Sequence, residues 1–240
     1  MVRFHAARPL RSTMFALIDS DSLLYRVGFS AEEDSEGIAR ARLDETLTVL
    51  IEEELNECTD HKFYISGSEN FRNGIAKTHP YKGNRENIKR PTHLKALREH
   101  IVKKWNASVS CNKEADDDVC IAAYANPKSI IAHIDKDLDQ IPGSHYNYVK
   151  KQFYNIGKFE GLKKFYLQIL TGDKIDNIIG LRGIGPVKAE NILKDCHTEL
   201  QLYNSVISAY NNDIERVHEN AQLLHLLRSE DDVWTPPKEK

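Results

Sequence analysis

Two short apolar runs in this chain each end at an Asp-x-Asp triplet. Phe15-Ala-Leu-Ile18 runs into Asp19-Ser-Asp21, and Ser129-Ile-Ile-Ala-His-Ile134 runs into Asp135-Lys-Asp137. Unbroken apolar runs of this length fit strands buried on both faces, as in parallel sheets. Open sheets of that kind bind ligands in the crevice beyond the carboxyl ends of their strands. Asp19, Asp135 and Asp137 all fall there. A third run, Lys62-Phe-Tyr-Ile65, closes at Ser66-Gly67-Ser68. Between the runs, Leu43 to Leu55, Leu94 to Trp105 and Ala115 to Tyr124 carry helical spacing. Strands alternating with helices predict an α/β fold with a twisted, mostly parallel sheet flanked by helices.

Past Pro142 the pattern changes. Residues 159–194 read as helices around a glycine cluster, and residues 201–227 as one or two more. The expected division is a loose leader over 1–14, a sheet core over 15–140, and a helical lobe over 141–240. The core would include a basic stretch at about 71–105. The ending Trp234-Thr-Pro-Pro-Lys-Glu-Lys reads as a polar, loose tail.

Hydrophobic residues make up 40% of the 240 positions, enough for a sizeable core. No apolar run approaches the roughly 18–20 residues that span a bilayer. Cys58, Cys111, Cys120 and Cys196 are widely spaced and form no C-x-x-C pair. They read as free thiols of a reducing cytoplasm, not as a zinc ribbon or a disulfide scaffold. The net charge is −3, yet residues 71–105 hold ten Lys or Arg against two Glu. Acids gather instead around 114–118, 135–139 and 173–176, so one face is expected to meet phosphate and another metal.

Glu114-Ala-Asp116-Asp117-Asp118 alone reads as ordinary complementation of a helix N-terminus. Asp173-Lys-Ile-Asp176 is an i, i+3 pair that would share a helix face. Taken together, these acids and those at the strand ends would repel one another strongly unless cations joined them. Oxygen-only sites of this kind suit Mg²⁺ or Mn²⁺. Two such ions roughly 4 Å apart can activate a water and stabilise the leaving oxygen of a phosphodiester. No Cys/His set lies near these acids, so zinc is not the expected ion there. His133 is read as packing or hydrogen-bonding within its strand.

Leu181-Arg-Gly183-Ile-Gly185-Pro-Val-Lys188-Ala189 is the most specific short signal. Its glycines permit a tight turn, and the free N–H groups of the following helix can hold a phosphate. Lys188 would add a point charge. Such a clamp reads the DNA backbone and not the bases.

In order, Leu17-Ile-Asp19, Tyr81-Lys-Gly-Asn-Arg85, Glu114-Ala-Asp-Asp117, Ile134-Asp-Lys-Asp137 and Thr171-Gly-Asp-Lys-Ile-Asp-Asn177, leading to Gly183-Ile-Gly-Pro186, resemble the 5′ nuclease family. That family comprises phage 5′–3′ exonucleases, flap endonucleases and the 5′-nuclease domain of bacterial DNA polymerase I. Asn84-Arg-Glu-Asn-Ile-Lys-Arg-Pro91 and Ala125-Asn-Pro127 are most similar to the phage branch, which implies a phage-encoded protein in a bacterial cytoplasm. The resemblance implies a PIN-like core and a helix–three-turn–helix lobe that can bind K⁺. It also implies DNA with a 5′ end or flap as substrate, and a two-metal hydrolysis by a monomer.

By the same resemblance, Asp19, Glu114 and Asp116 would hold the first ion. Asp135, Asp137, Asp173 and Asp176 would hold or support the second, and Asp117 would act from behind. Lys82 and Arg85 would sit in the helical arch or clamp and meet the scissile phosphate, with Tyr81 beside them binding DNA; Gly183, Gly185 and Lys188 would grip the duplex. Many relatives carry an aspartate after the second strand where this chain has Ser66-Gly67-Ser68-Glu69. Either Glu69 or Asp21 stands in, or the first ion has one ligand fewer. Two other readings stay open: a junction-binding protein that does not cut, and a PIN-type ribonuclease, which would usually lack the glycine turn.

Overall fold

The computed structural model describes residues 14–85 and 88–238. The expected leader therefore lies almost wholly outside the described residues, as do Glu86 and Asn87 of the phage-like motif.

β1 (Phe15–Asp19) is the central strand. It pairs in parallel with β2 (Asp60–Ile65) on one side and β4 (Ile130–His133) on the other. β3 (Ser108–Val109) adds to β2, and β5 (Gly143–Asn147) to β4, both in parallel. β6 (Gln152–Ile156) closes the far edge antiparallel to β5. The sheet order is β3-β2-β1-β4-β5-β6. β1 is buried along nearly its whole length because helices cover both faces, as its unbroken apolar sequence requires.

On one face lie α1 (Asp21–Ser30), α2 (Glu36–Val49) and, after the one-turn α3 (Arg72–Ile75), α4 (Leu94–Trp105), with Leu24, Leu43, Leu47, Leu97 and Ile101 sealed against Ile18 and Phe63. Ser35 caps α2 by accepting from the Ile38 N–H, which satisfies one of the four free donors of the first turn. α2 loosens into a π-helical turn over Leu50–Glu54. On the other face α5 (Ala115–Ala125) packs Val119 and Ala123 against Leu17 and Ile131.

The sheet continues past residue 140, and this corrects the expected boundary. β5 and β6 occupy the stretch assigned to the helical lobe. Gly-Ser-His-Tyr-Asn carries no apolar alternation, so the strand was not visible in the sequence. The helical part begins with α6 (Lys158–Thr171) and continues through α7 (Pro186–Leu193), α8 (Glu199–Ala209) and α9 (Ile214–Leu224). Together with Tyr81 and Ile178 these helices enclose a second apolar cluster.

Trp234 belongs to that cluster. It is 7% exposed and packs near Phe165, Tyr203 and His218, so the expected loose tail is anchored at its first residue. No helix among the described residues is long and apolar enough to cross a membrane.

Candidate metal centre and nucleic-acid interface

The carboxyl end of β1 delivers Asp19 into the crevice beside its buried neighbour Ser20. β4 delivers Asp135, which caps a short 3₁₀ turn (Lys136–Gln140) by accepting from the Asp137 N–H at 2.9 Å. Glu114 is the N-cap of α5, which carries Asp116 in its first turn. From the helical part, a tight hairpin of β7 (Gly172–Asp173) and β8 (Ile178–Ile179) brings in Asp173 and Asp176. The hairpin depends on glycine. Gly172 has φ +70, and a Cβ there would lie 2.3 Å from both the Gly180 nitrogen and the Ile178 oxygen.

These acids act on each other. Burial, then the charges of Asp21, Asp135 and Glu114, holds Asp19 well above the usual carboxylate range. Burial, then Asp19, Asp135, Glu114 and Asp137, does the same to Asp116. Burial followed by Asp135 and Asp173 raises Asp137 to about 7. Burial also raises Asp176, while Lys82 and Arg85 pull the other way. Seven of the eight expected metal-site acids thus share one electrostatic cleft. Their oxygens are spread more widely than a single-ion cage, which suits ions that keep several waters.

Asp117 is the exception. Its carboxylate turns into the core and takes two hydrogen bonds from Arg72, at 2.6 and 2.8 Å. Burial opposes its ionisation, but the guanidinium outweighs burial and holds the carboxyl low. It also accepts from the Glu114 N–H at 3.0 Å and so fixes the start of α5. Asp117 positions Glu114 and Asp116 without facing the cleft itself.

A cationic and phenolic rim closes the other side. The Tyr81 hydroxyl contacts Glu114 at 2.7 Å and Asp176 at 2.9 Å. Lys82 pairs with Glu114 and lies 3.7 Å from Asp176, and Arg85 pairs with Asp176 at 2.5 Å. The segment is held to the hairpin loop by the Lys82 N–H on the Asp176 carbonyl (2.9 Å) and by Asn84 on the Lys174 carbonyl (2.7 Å). Lys136 on Asp173 (2.8 Å) and Gln168 on Asp137 (2.5 Å) are further partners that nothing in the sequence marked, because they join segments far apart in the chain.

The basic stretch is less free than its composition implied. Arg72 is buried; Lys89 pairs with Glu32, Arg98 with Asp21, Lys103 with Glu99 and Lys104 with Asp44. With Lys82 and Arg85 also paired, only Lys77, Arg90 and Lys95 of the ten stand outside these bridges. The basic stretch that was expected to meet phosphate thus offers a rim at the cleft centred on Lys82 and Arg85.

At the place where the resemblance led one to expect an aspartate, Ser66 donates its N–H to Asp21 (2.9 Å) and accepts from the Ala115 N–H (3.0 Å). Asp21 stands beside Asp19 and raises its pKa, whereas Glu69 is exposed. The glycine turn precedes α7, with Gly183 at φ +78, Gly185 as N-cap and Pro186 opening the helix. Lys188 reaches back to the Gly183 carbonyl at 2.9 Å. Gly183, Gly185 and Lys188 are all exposed on this surface.

No family model matches the chain. Among curated proteins, flap endonuclease Xni of Shewanella amazonensis is 29% identical over 132 residues, half of this chain and 52% of its own length. Flap endonuclease Xni of Shewanella sp. strain MR-4 is 27% identical over 161 residues, 62% of its length. The matches thus span between half and two thirds of these relatives. Among solved structures, the T5 D15 protein co-crystallised with metal ions superposes with a TM-score of 0.67 at 18% identity, over 88% of this chain and 89% of that one. The chain is thus similar in sequence to flap endonucleases over part of their length, and it shares the fold of the T5 D15 protein. Flap endonuclease-1 from Methanococcus jannaschii shares the fold at a TM-score of 0.60 and 11% identity, over 92% of this chain and 81% of its own. The α/β reading with a mostly parallel sheet and a helical C-terminal part therefore stands.

Proposed function

We propose that the protein is a structure-dependent 5′ nuclease that hydrolyses DNA phosphodiesters at a 5′ end or a 5′ flap, with Mg²⁺ or Mn²⁺ as cofactor. One observation carries the reading: seven acids from both halves of the chain face one cleft, rimmed by Tyr81, Lys82 and Arg85. So much like charge in one crevice, with Asp137 raised to about 7, fits a divalent ion better than bare water. Asp19, Glu114 and Asp116 would hold one ion, and Asp135, Asp137, Asp173 and Asp176 would hold or support a second. Bound there, such ions supply Lewis acidity and a nucleophilic water for an in-line displacement.

The chain's own residues would do the rest. Lys82 and Arg85 now rest on Glu114 and Asp176; a phosphate entering the cleft competes for them, and they would hold it over the acids. The Tyr81 phenol, raised by burial and by Glu114 and Asp176, stays protonated and keeps both carboxylates in place. The exposed turn at Gly183–Gly185 would grip the duplex backbone. A K⁺ ion at that turn would compete with Lys188 for the Gly183 carbonyl. Function as a monomer in the cytoplasm of a phage-infected bacterium completes the proposal.

Product sizing on a 5′-flap duplex and a blunt duplex, each with and without Mg²⁺, tests this reading. Mg²⁺-dependent products from the 5′ side are expected. In a folded Asp116→Ala variant, cutting should vanish while duplex binding persists, and undiminished cutting would refute the assignment.

A further inference from the structure

Behind the acidic cleft, four ligand atoms meet with too few protons among them. Among the described residues, His133, Asp139 and His145 form the one His/Cys/Asp/Glu group whose donor atoms all lie within 4.8 Å of one another. Both rings are sealed, with 1% of His133 and none of His145 exposed. His133 Nδ1 lies 2.6 Å from the Asp135 carbonyl, and His145 Nε2 lies 2.8 Å from the Ile141 carbonyl. A carbonyl only accepts, so both of those nitrogens carry the ring proton. The remaining nitrogens, His133 Nε2 and His145 Nδ1, then face each other at 2.8 Å with lone pairs on both sides.

The surrounding oxygens do not relieve the clash. The Tyr154 hydroxyl spends its proton on Asp139 Oδ1 at 2.8 Å, so its oxygen faces His133 Nε2 at 3.1 Å with lone pairs only. Asp139 Oδ1 is 3.9 Å from His133 Nε2. Two imidazole nitrogens, a carboxylate oxygen and a phenol oxygen converge on one point. Each ring is oriented by a carbonyl on its far nitrogen, the outer contact that ligating histidines usually make. Lys164 holds the second oxygen of Asp139 at 2.8 Å and orients that carboxylate in the same way.

The geometry points to a transition-metal site of the Zn²⁺ class, distinct from the acidic cleft, formed by His133 Nε2, His145 Nδ1 and Asp139 Oδ1 with Tyr154 as fourth ligand. Nitrogen-rich donor sets select such ions over Mg²⁺. Bonds of about 2.0–2.1 Å at a tetrahedral angle set ligand nitrogens roughly 3.3 Å apart, so loading would part the two rings by about 0.5 Å. The site would clamp β4, the 136–140 turn, β5 and β6 together, and the carbonyl that holds His133 belongs to Asp135. The expectation that His133 packs or hydrogen-bonds within its strand did not include His145, which lies 12 positions on in a strand with no apolar signature.

The test uses the whole chain, stripped with chelator and titrated with Co²⁺ in excess Mg²⁺. One tight equivalent is expected, with the intense visible bands of four-coordinate Co²⁺ and displacement by Zn²⁺. The bands should survive Asp116→Asn and disappear in His145→Gln. No tight equivalent in the wild-type chain would overturn the proposal, as would bands that persist in His145→Gln and vanish in Asp116→Asn. If His145→Gln does not fold, the ring ¹⁵N resonances of the wild type decide. Zn²⁺ should move His133 Nε2 and His145 Nδ1 while the carbonyl-bound nitrogens stay still. Resonances that ignore Zn²⁺ and report only a proton shared between the rings would overturn it.

Discussion

Arg72 and Asp117 form a two-point ion pair at 2.6 and 2.8 Å, with 2% and none of their side chains exposed. The guanidinium also donates to the Leu223 and His225 carbonyls, and Asp117 accepts from the Leu227 N–H. One buried pair thereby ties the start of α5 to the segment after α9. Removing one partner strands the other charge in the core, at a cost of about 3–5 kcal/mol. Arg72→Met should lower the unfolding free energy read from a urea titration by that amount, and Asp117→Asn should follow closely. A loss under about 1 kcal/mol would show the pair to be dispensable.

Lys82→Ala should slow single-turnover cleavage about 100–1,000-fold, the usual effect of removing one preorganised charge from a reacting phosphoryl group. Duplex binding should change only slightly, because the glycine turn lies elsewhere on the surface. A parallel loss of binding and cutting would make Lys82 a mere docking cation.

The acid cleft also makes a pH prediction for the chelated protein. Asp137 ionises near about 3.9 in an unfolded chain and at about 7 in the fold. The folded state binds more protons between those values, so this contribution is whole below the lower one. It drains away as pH rises through the upper one. Asp19 and Asp116 shift in the same direction. In EDTA the melting midpoint should fall as pH rises from about 4 to about 7. Mg²⁺ should restore it, and Asp137→Asn should flatten the profile.

Much of this was legible in the sequence, and the reasons are physical. β1, β4 and α5 were readable because unbroken apolar runs and helical spacing are local signals, and their terminal acids came with them. β5 was not, since Tyr146 and His145 are buried by pairing with β4 and β6 and not by any alternation of their own. Asp117 fell within an acidic run and looked like its neighbours. Only the position of Arg72, 45 residues away, shows that it faces inward. Trp234 sat among prolines and charges, and its pocket is built by residues that precede it by 16 positions or more.

Gly172→Ala should both destabilise and disarm the protein. The added methyl would collide with the β8 backbone at a positive φ, so the loss should exceed about 1 kcal/mol. Asp173 is the next residue, so cleavage should fall even under conditions where the variant stays folded. Circular dichroism with single-turnover assays on the same preparation checks both effects.

The hairpin after α6 has one more consequence. Asp19 is synthesised more than 150 residues before Asp173 and Asp176. A growing polypeptide therefore holds an unfinished set of acids for most of its synthesis. On the proposed function, hydrolytic power would arrive only with this hairpin, late and abruptly.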